Sequence, residues 1–347
     1  MSVAARRQLS LAVLFTLTAG PALAGGLTSQ EVLNQFNLVV LGDAKSASDV
    51  HGRAYVGGNL TAGEYEQWGW ATPASGYAGL TVGGNASGVT VDNGGAVIGG
   101  TLSNSTINNG ATVVHGTAGG SHFNGSGTTY VGIDGGGNSF NSGRALSITG
   151  ALKTQDDAAT STDFAAVLKG LSSQLSALAD TKGTIEYNGY GRATFNAVAG
   201  LGGVAVFDLS AGDAAQLFSQ GEFAFNMGSA TTLIINVDAL DVDISANFLD
   251  SAATKYGSKI LWNFYDATDV TINRQFGGTV LAAGASFANY QDIEGDVLVK
   301  TLDQHGELHL DPFNGNIPTP PVPEPETYAM LMAGLGILGS VVRRRRG

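Results

Sequence analysis

Cysteine is absent from this 347-residue chain, so neither a disulfide nor a thiolate-held metal contributes to its stability. Charge is sparse at 13% of residues, with 17 Lys+Arg against 29 Asp+Glu. That balance excludes the basic surface that nucleic acid or anionic lipid would need. No Gly-x-Ser-x-Gly elbow, phosphate-binding loop or His-Glu-x-x-His helix occurs, which removes the signatures of the common hydrolases and nucleotide enzymes. Long apolar runs are missing except near the two ends, and most of the 8 prolines crowd into residues 318–325. Glycine is abundant, at 51 residues, a composition that suits short strands joined by tight turns.

The two ends read as targeting segments. Arg6 and Arg7 precede an apolar stretch from Leu9 to Ala19, and Ala22-Leu23-Ala24-Gly25 follows. A short apolar core behind basic residues and ahead of an Ala-x-Ala site predicts a signal peptide over residues 1–24, cut by signal peptidase between Ala24 and Gly25. At the other end a proline-rich spacer, residues 317–327, leads to an apolar stretch and then Arg343, Arg344, Arg345 and Arg346. Proline keeps the spacer extended, the apolar stretch from 328 is long enough to enter a bilayer, and the arginines stop transfer on the cytoplasmic side. Val322, Pro323, Glu324 and Pro325 with this helix and basic tail resemble the PEP-CTERM sorting signal. The resemblance implies an exosortase that recognises these four residues, cuts near them, and frees an inner-membrane-held precursor to the cell surface or matrix. Without the six arginines of the two ends and Glu324 and Glu326, 11 basic residues face 27 acidic ones. The remaining body is therefore near −16, as suits a soluble extracellular protein.

That body, residues 25–316, repeats a small unit: Val56-Gly-Gly-Asn59, Val82-Gly-Gly-Asn85, Ile98-Gly-Gly-Thr101, Val114-His-Gly-Thr117 and Val131-Gly-Ile-Asp134. The spacings are 26, 16, 16 and 17 residues. A β-branched residue followed by glycine at a near-fixed period predicts a mainly β chain wound as a β-solenoid, each inward side chain stacking on its neighbours and glycine serving the corner. A Greek-key sandwich has no reason to return one tetrapeptide at that period. The longer first interval holds an excursion around Trp68-Gly69-Trp70 and Pro73. Phe164, Val167, Leu168, Leu171, Leu175 and Leu178 fall on one stripe, which predicts one long amphipathic helix from about Thr160 to Lys182, capped by Ser161 or Thr162, lying along the solenoid. About 20 helical residues span roughly 30 Å, the height of about six rungs. After it come more apolar strands, among them Val204–Asp208, Thr232–Val237 and Lys259–Tyr265, which read as completing the same core.

Phe36–Asp43, Ser48–Arg53, Val56–Asn59, Ile234–Val237, Leu261–Tyr265, Gly277–Ala283, Ile293–Asp296 and Gly306–His309 together resemble the choice-of-anchor A domain. That family is an adhesive module similar to ice-binding proteins, and the resemblance implies a β-solenoid with a helix packed alongside. Leu281-Ala282-Ala283 departs from the Leu-Ala-Pro expected of relatives.

Candidate chemistry is thin. His305 and His309 flank Glu307, but residues four apart on a strand lie nearly 14 Å apart, so they do not predict a metal site, nor do His51, His115 and His122. Asp238, Asp241 and Asp243, followed by Asp266 and Asp269, follow no known calcium-loop spacing. No carboxylate pair stands out for glycoside chemistry. Thr81, Thr90, Thr101, Thr112 and Thr117 do not share one phase of the period, which disfavours a flat ice-binding face. The expectation is therefore an exported adhesive or structural protein, without cofactor, metal or catalysis, whose partners are exopolysaccharide or surface glycan. Ice binding and a polysaccharide-active enzyme are the alternatives.

Overall fold

A computed structural model describes residues 26–318 apart from Gln67, Trp70 and Ser142. Short strands wind in three parallel ladders. The 16-residue period is the register itself: Leu80 pairs with Ala96, Ala96 with Thr112, and Thr112 with Thr129, while Ala54 pairs with Leu80 across the longer first interval. Down one corner Val299, Val40, Val56, Val82, Ile98, Val114 and Val131 stack in register, all buried.

Glycine serves this corner by its missing side chain rather than by its backbone angle. A Cβ on Gly83 would sit 2.4 Å from the carbonyl oxygen of Gly57, and one on Gly99 would sit 2.2 Å from that of Gly83. Each rung rests on the bare backbone of the rung below.

The rungs do not stack in chain order. Leu38–Val40 pairs on one side with Ala54–Val56 and on the other with Val297–Val299. The chain thus starts in the middle of the solenoid and builds outward through Leu80–Val82, Ala96–Ile98, Thr112–Gly119, Thr128–Asp134 and Gly143–Arg144. It then crosses to the opposite end and returns through Val204–Leu209, Thr232–Val237, Ile260–Asn263 and Thr279–Asn289 to Val297–Gln304. The first ladder therefore runs through twelve strands, roughly 50 Å at the usual spacing between strands. A smaller sheet, in which Thr184–Tyr187 and Arg192–Asn196 are antiparallel and Glu222–Asn226 and Asn247–Phe248 follow in parallel, completes the returning half. Its core is aromatic: Trp262 is fully buried among Phe195, Phe223 and Phe276, and its indole N–H donates to the carbonyl of Gly277 at 3.1 Å.

Five helices are present among the described residues: α1 Ser29–Gln35, α2 Ala151–Ala159, α3 Phe164–Ser176, α4 Ala211–Phe218 and α5 Ala252–Tyr256. Of the single long helix expected over 160–182 only α3, residues 164–176, is helical, and α2, which lies before that span, joins it to make the crossing. The chain breaks at Thr160–Asp163 because its short polar side chains take up backbone groups there. Asp163, not Ser161 or Thr162, caps α3 by accepting from the amide of Ala166 at 3.0 Å. Ser161 bonds back to the carbonyl of Ala158, and Thr162 accepts from the amide of Leu27. Residues 178–182 lie beyond the C-cap at Ala177. α3 presents Phe164, Leu168, Leu171 and Leu175 to Val39, Val206, Ile234, Leu261, Leu281 and Leu298. α1, held by a reciprocal Thr28–Glu31 capping box, brings Phe36 edge-on to Phe164 and Tyr77. Leu281-Ala282-Ala283 forms no turn; it lies inside the bulged strand Thr279–Asn289.

Candidate functional site

Two surfaces carry chemistry. On the third ladder the outward positions of successive rungs align as Asp49, Glu64, Thr90, Thr106, His122 and Ser139. Beside this rank a second one is tied side chain to side chain: Asn108 donates to Asp92 at 2.8 Å, Asn124 to Asn108 at 3.3 Å, and Asn141 to Asn124 at 3.0 Å. His122 is fixed by the hydroxyl of Ser139 at 2.8 Å. Repeated hydroxyls, amides and carboxylates, one per rung, give a polar strip whose spacing the solenoid sets. Thr90 and Thr106 are its only threonines. Thr81 and Thr112 are buried instead.

The second surface is the seam where the chain's start meets its end. Val50 pairs with Leu308, and Glu294 with His309. This puts His51 against His309, their rings 4.8 Å apart and 13° from parallel, with Trp68 stacked at 4.4 Å on the other face of His51. Glu307 reaches both Nε2 atoms, at 3.6 Å from His51 and 3.1 Å from His309. His309 Nδ1 meets Glu294 at 2.9 Å, and Gln275 donates to the same Glu294 oxygen at 3.0 Å. Hydrogen bonding to Glu294, against the cost of burial, holds the His309 imidazolium up to about 9. Burial and then the neighbouring His309 push His51 down, so His51 is neutral.

The sequence placed His305 and His309 apart, and the structure keeps them so: His305 stacks on Tyr290 at 4.7 Å. The partner of His309 is His51, which no local spacing could supply. His115 meets Asp156 of α2 at 2.6 Å. The acidic cluster divides. Asp241 pairs with Asp269 on neighbouring rungs, Asp243 accepts from Asn273 at 2.7 Å, and Asp238 and Asp266 lie with Asp208 around Tyr265. Among the described residues, His51, Glu307 and His309 form the one group whose ligand atoms converge, all within 4.8 Å of one another.

Two buried carboxylates serve the fold. Glu66 faces Arg53 at 4.0 Å, and Arg53 also donates to the carbonyls of Gln35, Pro73 and Ala78, tying the Trp68 excursion to α1. Asp296, fully buried, accepts from Thr279 and from the amide of Phe313.

Ala22, Ala24, Gly25, Val322, Pro323, Glu324, Pro325 and Arg343–Arg346 lie outside the described residues, as does the expected membrane helix at 328–347. No helix among the described residues is long and apolar enough to cross a membrane.

The family described as "Putative Ice-binding-like adhesive domain" matches residues 29–310, and the chain belongs to that family. A PEP-CTERM protein-sorting motif matches residues 321–346, which marks an exported protein sorted to the cell surface and processed by exosortase. Comparison with curated proteins and with solved structures returned no match.

Proposed function

We propose that this protein is a cell-surface or matrix adhesin that grips a hydroxyl-rich polysaccharide along its polar strip and performs no catalysis. The observation that carries this reading is the in-register rank Asp49, Glu64, Thr90, Thr106, His122 and Ser139 beside the Asp92–Asn141 ladder. Such a strip offers many weak, evenly spaced hydrogen bonds to a polymer, whose avidity grows with the number of rungs engaged. Only two threonines stand in the rank, Thr90 and Thr106, flanked by Glu64 and His122, so it gives ice no repeating match.

Maturation follows from the two ends. Signal peptidase cuts after Ala24, the tail holds the precursor in the inner membrane with Arg343–Arg346 inside, and exosortase cuts near Val322–Pro325. Exopolysaccharide or surface glycan is the partner, consistent with the acidic, disulfide-free body. Two measurements test this. Mass spectrometry of surface protein should find termini at Gly25 and near Val322–Pro325; an intact arginine tail on surface protein overturns the processing. Retention on immobilised matrix polysaccharide should be saturable without turnover and weaken several-fold when Thr90 and Thr106 become leucine. Equal retention by that variant overturns the strip, and product release from the polymer overturns the non-catalytic reading.

A further inference from the structure

We infer that His51, Glu307 and His309 bind one divalent metal of the zinc class, which staples the first turn of the solenoid to its last. The ligand set is two imidazole nitrogens and one carboxylate oxygen, the composition of zinc sites that keep a fourth position open. The geometry already approaches that of such a site. With metal–ligand bonds of about 2.0–2.1 Å, the edge of a coordination tetrahedron is roughly 3.3 Å. The two Glu307 Oε2 to Nε2 separations, 3.6 and 3.1 Å, bracket that length. Only the His51 to His309 edge, within 4.8 Å, must shorten, and a small tilt of either stacked ring shortens it.

Three further observations point to a cation. Glu294 holds Nδ1 of His309 at 2.9 Å and is itself held by Gln275 at 3.0 Å; this carboxylate–histidine relay orients an imidazole whose other nitrogen faces a metal. His51 is 95% buried, and its Nδ1 has no hydrogen-bond partner, so no hydrogen bond fixes the ring against turning toward a cation. The carboxylates of Glu294 and Glu307 both meet the ring nitrogens, at 2.9 Å for Glu294 and at 3.1 and 3.6 Å for Glu307. Excess negative charge around nitrogen donors selects zinc-class ions over calcium or magnesium, which prefer all-oxygen shells. Access is open, since Glu307 is 43% exposed.

The staple would join residues from the two ends of the described chain, where an exported protein would ordinarily place a disulfide and this one has no cysteine. It touches the polar strip at one end only, since Asp49, the first residue of that rank, lies two residues before His51.

The full chain, stripped with chelator, is titrated with zinc chloride and separately with calcium chloride by calorimetry, with thermal unfolding read in parallel. One zinc per chain is expected, no response to calcium, and a Tm rise of about 5 °C at a hundredfold excess over Kd. Glu307→Gln and His309→Gln should each weaken zinc at least tenfold. Glu294→Gln, which keeps every ligand, should weaken it about tenfold through the lost relay. Exposed Glu307 makes its variant safe for folding, and an unchanged far-UV spectrum confirms that. Absence of saturable zinc binding, or affinity undiminished in Glu307→Gln and His309→Gln, overturns the assignment.

Discussion

Replacing Asn263 tests how the crossing helix is held to the sheet. Asn263 is fully buried. It accepts from the hydroxyl of Ser172 at 2.7 Å and donates to the Ser172 carbonyl and to Asn236 Oδ1, both at 2.9 Å. Asn236 in turn donates to the carbonyl of Leu175 at 2.8 Å, in the last turn of α3. These two asparagines sit in strands that are otherwise apolar, so their worth is in the latch. Asn263→Leu restores most of the volume but leaves Asn236 Oδ1 and the Ser172 hydroxyl buried and unpaired. At about 1–3 kcal/mol for each of the two orphaned groups, the expected loss is about 2–6 kcal/mol. If the loss is orphaning, removing the partners as well should recover part of it. The triple change Asn236→Leu, Asn263→Leu and Ser172→Ala should therefore be more stable than Asn263→Leu alone by about 1 kcal/mol or more. Urea unfolding followed by circular dichroism gives both numbers. A neutral Asn263→Leu, or losses that simply add, would show that α3 is held by its leucine stripe and that the latch contributes nothing.

Gly99→Ala places a methyl 2.2 Å from the Gly83 carbonyl; backbone must move, and the expected cost is about 3 kcal/mol, at the upper end of overpacking effects, read as a lowered urea midpoint. Burial pushes the Glu66 carboxyl up to about 7, Arg53 pulling the other way. The unfolded chain gives up that proton first, so stability should fall as pH rises from about 4.5 through 7, by about 3 kcal/mol, and level off above. Glu66→Gln should lack that fall, and parallel pH curves for variant and parent refute it. Burial likewise raises Asp296 well above the carboxylate range, so its folded form loses stability as pH rises past the unfolded value. Asp296→Asn keeps an acceptor for the Phe313 amide and should raise Tm at pH 7.5, whereas a lowered Tm would mean the ionised form is the one the fold uses.

The period of the first half was legible because it is local. Val56, Val82, Ile98, Val114 and Val131 carry their register in their own spacing, and the observed pairings keep it. The place of Leu38–Val40 was not legible, since its partner Val297–Val299 is chosen by which rung is left open after the chain has crossed. The stripe from Phe164 to Leu175 was visible, but α2 before it buries only Leu152 and carries no such stripe, and the cap at Asp163 marks where α3 begins. The Val-Gly-Gly unit announced a corner, yet its glycines read as turn formers, because a sequence does not show that another backbone lies within 2.4 Å of a missing Cβ. The seam cluster failed for the same reason as the register: His51 and His309 share a site only once the last rung has closed on the first.

The order of the rungs also decides how an anchored molecule would stand. After His309 the chain runs as a strap toward the end of the rod that Val204–Leu209 forms. Phe313 is held by Asp296, Asn314 donates to Ser258, Asn316 to Thr232, and Pro318 accepts from Gln174 of α3. Those contacts step across the strands of the returning half, from 297 to 232, and they stop beside the terminal rung. The segment that leads to the sorting motif therefore leaves the solenoid near one end, while Gly143–Arg144 closes the ladder at the other, roughly 50 Å away. The polar strip starts with Asp49 at the seam and runs from Glu64 to Ser139 away from that exit. A precursor held by its tail would hold the returning half, with its aromatic core, toward the membrane and the regular half outward.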